Sequence, residues 1–382
     1  MKRIEWVDDV KGTAITLIVA GHVVATLSNM TTDGPQAALR CAFDTIYSFH
    51  VPLFFAIAGL TFSVHADFGS FVKRKFLRLM VPYYVWGVGS ALLAITLGLN
   101  VANDMQALAT TTSYAGKTMD SQWFVPFLSI IHGGGWPNGR GFWFNGVLWF
   151  LPVMFVVELI YYWVDKACNG RVSLVFCSFA LALLFQLYWS PMTNQLADVK
   201  GIYLPFNLAW VPKFLPFVAI GHWFSLRFIR KQVDEDRNSL TYRLIACVVV
   251  AYIAIVYFCP SLGMYRWDRP NVNLSVYYIK WFLKAILGIV ALMALSRLKG
   301  LSIFAFLAPT SLGIMLSHKF PLVAAQLVIG HLAVLPKLGT VTVCLIAILL
   351  TIVLTLGCHV LSLLIARYVP WCLGIGRRCF SQ

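Results

Sequence analysis

Apolar runs of about 18 to 25 residues recur along the whole chain, each long enough to cross a hydrocarbon core roughly 30 Å thick as a helix. Inside a bilayer no water is present to satisfy backbone N–H and C=O groups, so a run of this length enters only if its own hydrogen bonds close within it. Bounded by charges, Gly/Pro clusters or polar loops, the runs lie near residues 11–30, 43–65, 79–99, 143–164, 172–190, 207–227, 241–260, 275–295, 301–318 and 338–366. The expected fold is all-α: a polytopic transmembrane helix bundle of about ten spans, in a single domain over residues 1–382 with no appended soluble domain. The last run exceeds what a crossing needs, which predicts tilt or an interfacial turn at its end.

Charge supports this reading. Only 12% of the 382 residues are charged, against roughly 25% in a soluble domain, and the mean hydropathy is +0.77. The net charge of +15 does not point to nucleic acid, because Lys and Arg fall into short clusters between the apolar runs rather than into one basic stripe. The 9 Cys are scattered without a C-x-x-C pair or metal spacing. They read as small packing residues, and no metal site is expected. Acids at Glu5, Asp8 and Asp9 are wrong for a signal peptide, so the first run reads as a retained span.

Basic loops stay on the cytoplasmic side of a membrane. With both termini cytoplasmic, that side receives Lys2, Arg3, the cluster Lys73, Arg74, Lys75 and Arg78, then Lys166, Arg171, Arg227, Arg230, Lys231, Arg237, Arg297, Lys299, Arg377 and Arg378. The other side keeps isolated Arg40, Lys117, Arg140, Lys200, Arg266 and Arg269. The long external segment near 100–142, with its Trp, Phe and Gly, suits an interfacial or re-entrant hairpin.

Ionisable groups inside a span are costly, so each is either functional or a buried structural partner. They are Lys11, His22, His50, Glu158, Lys213, His222, Lys280, Lys284, His318 and His359. Lys11 and His22 stand 11 residues apart, which on a helix returns to within about 20° of one face and separates them by about 16 Å. Asp8, one turn before Lys11, is placed to pair with it. Spacing alone fits two readings equally: one wall of a site, or a snorkelling lysine with a histidine bonded to a neighbouring helix.

The order of several stretches resembles the membrane-bound acyltransferase-3 family, integral-membrane O-acyltransferases of cell-surface glycans. "DDVKG" running into G-H resembles the family's opening, a basic residue, ten intervening residues and a histidine, here Lys11 and His22. "SFHVPLFFAIAGLTFS" resembles its F-H-x-P-L-F-F segment, placing His50, Pro52 and Gly59. "FVKRKFLRLMVPYYVWG", "LWFLPVMFVVELIYY", "FLPFVAIGHWF" and "TSLGIMLSH" resemble later segments in the same order, the last ending in His318. Lys75 and Arg78 stand where the family carries two arginines, and Met315 and Ser317 replace its more usual Tyr and Val.

The resemblance implies an O-acyltransferase of the bacterial inner membrane that moves acetyl from cytoplasmic acetyl-CoA to a sugar hydroxyl of a cell-surface or lipid-linked glycan. It implies His22 as general base or transient acyl carrier, with Lys11 and Asp8 counted in the catalytic wall. Lys11, Lys75 and Arg78 are then expected to hold the phosphates of the acyl-CoA. His50, His318 and Glu158 are expected to be acceptor-side or structural. The expected partners are the acyl-CoA donor, the glycan acceptor and membrane lipids, and not nucleic acid. No G-x-S-x-G elbow or pair of glycosidase-like carboxylates offers another chemistry. The reading from a different class is a transporter or flippase of a glycan intermediate.

Overall fold

The computed structural model describes residues 5–63, 67–96, 113–114, 117–118, 130–133, 145–168, 173–184, 204–226, 239–258, 274–296, 299–332 and 334–375. These residues are helical apart from turns and a two-residue antiparallel ladder pairing Ser113 with Thr118 and Tyr114 with Lys117. The α-helices are α1 Glu5–Ser28, α2 Asp33–Leu60, α3 Phe68–Lys75, α4 Val81–Thr96, α5 Phe150–Cys168 and α6 Ser173–Leu184. They continue with α7 Val211–Phe224, α8 Ser239–Phe258, α9 Leu274–Ser296, α10 Ser311–Ser317, α11 Lys319–Leu332 and α12 Thr340–Tyr368.

Among the described residues, six helices are long and apolar enough to cross a membrane, or seven if the bent pair ending in α11 counts as one crossing. The expected spans near 11–30, 43–65, 79–99, 143–164, 275–295 and 338–366 fall on these six. Those near 172–190, 207–227 and 241–260 fall on α6, α7 and α8, with 12, 14 and 20 residues. Most of the segment near 100–142, and Lys2, Arg3, Arg140, Arg171, Lys200, Arg227, Arg230, Lys231, Arg237, Arg266, Arg269, Arg297, Arg377 and Arg378, lie outside the described residues.

Helix α12 explains why this is a membrane fold. Its large apolar side chains face outward, with Val341 at 74% and Leu349 at 63% exposed, and Leu345, Ile348, Ile352 and Val353 beside them. Most of its buried positions are small or weakly polar, Ala347, Thr351, Thr355, Cys358, Ser362 and Ala366, with Val343 and Leu354 the large exceptions. Water would penalise that arrangement, whereas a bilayer solvates the outward face and leaves small residues to pack between helices. The buried hydroxyls bond back one turn, Thr351 to the Ala347 carbonyl at 2.7 Å and Ser362 to that of Cys358 at 2.6 Å. The chain is a multi-pass membrane protein.

Two units make up the chain, Met1–Ala58 with Phe224–Leu363 and Gly59–Trp223 with Leu364–Gln382. In the first, α1 packs along the 3-10 stretch Lys299–Thr310. Contact is so close that a Cβ at Gly12 would collide with the Phe304 carbonyl. On α9, Gly288 likewise leaves room for the Phe49 ring of α2. The run expected near 301–318 falls on the segment Ser302–Ser317, and at its end the chain bends by 56° into α11. Pro321 is the cause: it has no N–H to give the Ser317 carbonyl, and its ring would crowd that group in a straight helix. The first backbone bond beyond the break runs from Leu322 N–H to the His318 carbonyl at 3.2 Å.

In the second unit α3 starts at Asp67, whose carboxylate accepts from the Ser70 amide at 2.9 Å. Helix α3 runs into a π-helical turn, Phe76–Met80, before α4. Residues 370–375 brace that turn: the Trp86 Nε1–H donates to the Cys372 carbonyl at 3.0 Å. Gly374, at φ +64°, lies where a Cβ would come within 2.7 Å of the Arg78 backbone. Both the left-handed conformation and the space demand glycine there.

Candidate functional site

Helix α1 carries Lys11 and His22 on one continuous helix, as their spacing predicts. Asp8 and Lys11 sit near its start and His22 well along it, partly exposed. The residue before His22 decides what can stand beside it. A Cβ at Gly21 would lie 2.8 Å from Cε2 of Tyr47, so the absent side chain admits the tyrosine ring. The Tyr47 hydroxyl lies 3.0 Å from His22 Nδ1 and 3.4 Å from Nε2. Tyr47 is held on both sides by its own helix: Phe43 stacks on it with centroids 3.9 Å apart, and His50 meets it edge-on at 4.4 Å. Positions 43, 47 and 50 follow the i, i+4, i+7 rule for one helix face.

His318 reaches the same place from the far end of the unit. It is the turn residue between α10 and α11, fully buried, and its ring lies 5.1 Å from that of His22, tilted by 37°. Its Nδ1 is 3.0 Å from the Ile314 carbonyl. A carbonyl only accepts, so Nδ1 bears the proton and Nε2 is left with a lone pair. That Nε2 is buried with no hydrogen-bond partner among the described residues. His50 repeats the pattern, its Nδ1–H donating to Ile46 at 2.9 Å. Three histidines and a tyrosine thus gather in the first unit, with Lys319 following directly on His318. Of these, Tyr47 and Lys319 were not singled out by sequence reasoning; a tyrosine inside an apolar helix carries no signal that separates it from packing. Among the described residues, no group of three or more His, Cys, Asp or Glu is arranged to hold a metal ion.

Lys75, Arg78 and Glu158 belong to the second unit. Lys75 Nζ pairs with Glu158 Oε1 at 2.5 Å and sits 5.5 Å from the Phe71 ring centroid. The Glu158 side chain is 4% exposed, and its other oxygen, Oε2, is buried without a hydrogen-bond partner among the described residues. Two residues read separately in the sequence are therefore one ion pair. Arg78 lies in the π-helical turn and is exposed. Such turns insert an extra residue into a helix and are frequent at functional sites. Deeper in this unit, His222 Nδ1 lies 3.0 Å from the Tyr161 hydroxyl and 3.3 Å from Asp165 Oδ1. Glu158, Tyr161 and Asp165 share a face of α5, which makes a polar stripe on an otherwise apolar helix. Lys213 is buried near the Trp210 ring, Lys284 is buried in α9, and Lys280 is exposed. His359 meets Thr310 Oγ1 at 2.7 Å, a structural contact.

The family described as an acyltransferase domain, acyltransferase 3, matches residues 4–362. The nodulation protein NolL of Mesorhizobium japonicum is 32% identical over 130 residues, 32% of this chain and 33% of that protein. The nodulation protein NolL of Sinorhizobium fredii is 35% identical over 82 residues, 21% of this chain and 22% of that protein. The similarity thus spans a third or less of either relative. No solved structure matches the chain at a significant level.

Proposed function

The chain belongs to the acyltransferase 3 family, and from that premise we propose that it is an integral-membrane O-acyltransferase of the bacterial inner membrane with both termini cytoplasmic. It moves acetyl from cytoplasmic acetyl-CoA to a sugar hydroxyl of a cell-surface or lipid-linked glycan. The observation that carries the reading is the meeting of His22 with Tyr47 and His318. Such a group is hard to account for as packing, since Nε2 of His318 stays unsatisfied.

A sugar hydroxyl is a poor nucleophile until a base takes its proton, and imidazole has the right basicity for that near neutral pH. His22 then acts either as that base or as a transient carrier of the acyl group. Lys75 and Arg78 of the second unit, and Lys11 of the first, are each cations of the kind that binds phosphate. Arg78 can offer a two-pronged contact, whereas Lys75 is a point charge that Glu158 already engages. Donor phosphate therefore competes with a carboxylate for Lys75.

The test is acetyl transfer by the purified chain and in cells. Surface glycans from cells expressing the protein should carry acetyl esters by mass spectrometry, and His22→Ala should remove them while the protein stays inserted. Full acetylation by that variant would remove His22 from the chemistry. A wild-type protein that neither consumes acetyl-CoA nor adds esters would remove the acyl-transfer reading itself.

A further inference from the structure

We propose that His318, rather than His22, takes the proton of the acceptor hydroxyl, which leaves His22 to carry the acyl group; this division of labour rests on the acyl-transfer reading above. Its ground is geometric. The Ile314 carbonyl commits the proton of His318 to Nδ1, so Nε2 can only accept. That nitrogen is fully buried and has no donor among the described residues. A hydroxyl brought beside His22 is a donor of the missing kind, because the two rings are 5.1 Å apart. His22 is differently placed. Its Nδ1 is the nitrogen nearer the Tyr47 hydroxyl, at 3.0 Å against 3.4 Å for Nε2. In the tautomer whose Nδ1–H donates to the Tyr47 oxygen, the Nε2 lone pair is the nucleophile.

Transfer then runs in two balanced steps. The His22 Nε2 lone pair attacks the thioester carbonyl, the C–S bond breaks with its electrons on sulfur, and an acyl-imidazolium and a thiolate result. Next the acceptor O–H gives its proton to His318 Nε2 as its oxygen bonds to the acyl carbon, and the C–N electrons return to His22. The His318 imidazolium passes its proton to the thiolate. The products are ester and thiol, and both imidazoles are neutral again. The break at residue 318 serves this role: Pro321 ends the preceding helix there, which fixes the ring at a turn instead of on a continuous helical face.

The experiment separates the two steps. His318→Asn should lower ester formation on the cells' own glycans by about 10² to 10⁴-fold, the usual weight of a general base. With acetyl-CoA and hydroxylamine, a nucleophile that needs no base, the same purified variant should form acetohydroxamate at the wild-type rate. His22→Ala should lose both. Wild-type protein quenched after acetyl-CoA alone should carry acetyl on His22 by peptide mass spectrometry, a measurement independent of whether any variant folds. Undiminished ester formation by His318→Asn, loss of hydroxamate formation by a folded His318→Asn, or acetyl found on His318 or on neither histidine would each overturn the proposal. A wild-type protein that forms neither ester nor hydroxamate overturns the acyl-transfer reading as well.

Discussion

The Tyr47 hydroxyl stands 3.0 Å from His22 Nδ1, and the ring that carries it occupies the space a side chain at position 21 would need. The Gly-His pair in α1 is therefore one device: the glycine makes the hole through which a partner reaches the histidine.

Replacing Gly21 by Ala should push the Tyr47 ring away. Its Cβ would come within 2.8 Å of the ring, and Phe43 stacks closely on the same tyrosine. Transfer should fall by about 10²-fold, the usual result of misplacing a reacting group by an ångström. Protein abundance in the membrane should change little, and immunoblotting beside the transfer assay checks both.

Removing only the hydroxyl is a gentler test. Tyr47→Phe keeps the ring but gives up a hydrogen bond with a net contribution of about 0.5–1.5 kcal/mol. The expected outcome is a drop in transfer of about tenfold, corresponding to roughly 1.4 kcal/mol, with thermal stability near wild type. A change in melting temperature without a change in transfer would make the contact purely structural.

Lys75 and Glu158 make an ion pair whose carboxylate is almost fully buried. Lys75→Met should destabilise the protein by about 3–5 kcal/mol, because it strands a buried charge, whereas Lys75→Met with Glu158→Leu should recover most of the loss. Denaturation of the two variants in detergent gives the comparison. If the single and double variants lose equal stability, the pair is not coupled.

At Asp67 the Ser70 hydroxyl and amide hold the carboxyl below its ordinary value. A carboxyl depressed in the folded state stabilises above its unfolded pKa of about 3.9 and stops doing so as pH falls through the folded value. Hydrogen-exchange protection of the Ser70 amide should therefore be steady at neutral pH and drop in acid. Asp67→Ala should show the unprotected behaviour at every pH, and Asp67→Ser should keep the cap.

Much of the helical framework was legible because the bilayer reduces folding to one pattern, a long apolar run. That same uniformity hid the break at His318, although Pro321 was the printed signal. Lys11 and His22 were legible as a pair because eleven residues is close to three helical turns. Tyr47 was not, because its role depends on the absence of a side chain at Gly21 on another helix, and no periodicity encodes that. The link between Lys75 and Glu158 crosses 83 positions, so Lys75 reads as one of a basic cluster and Glu158 as a separate buried acid. His318 stood out by resemblance, but its distance from His22 belongs to the packing of α1 against the residues before α11.

The brace on the basic turn sets an order of events during synthesis. Trp86 and Arg78 leave the ribosome 286 residues or more before Cys372 and Gly374, yet the bond from Trp86 and the seat for Gly374 need both sets. The turn holding Arg78 consequently completes its contacts only after almost every other helix has been made, and a nascent chain stalled before residue 370 holds Arg78 on a turn that lacks this brace.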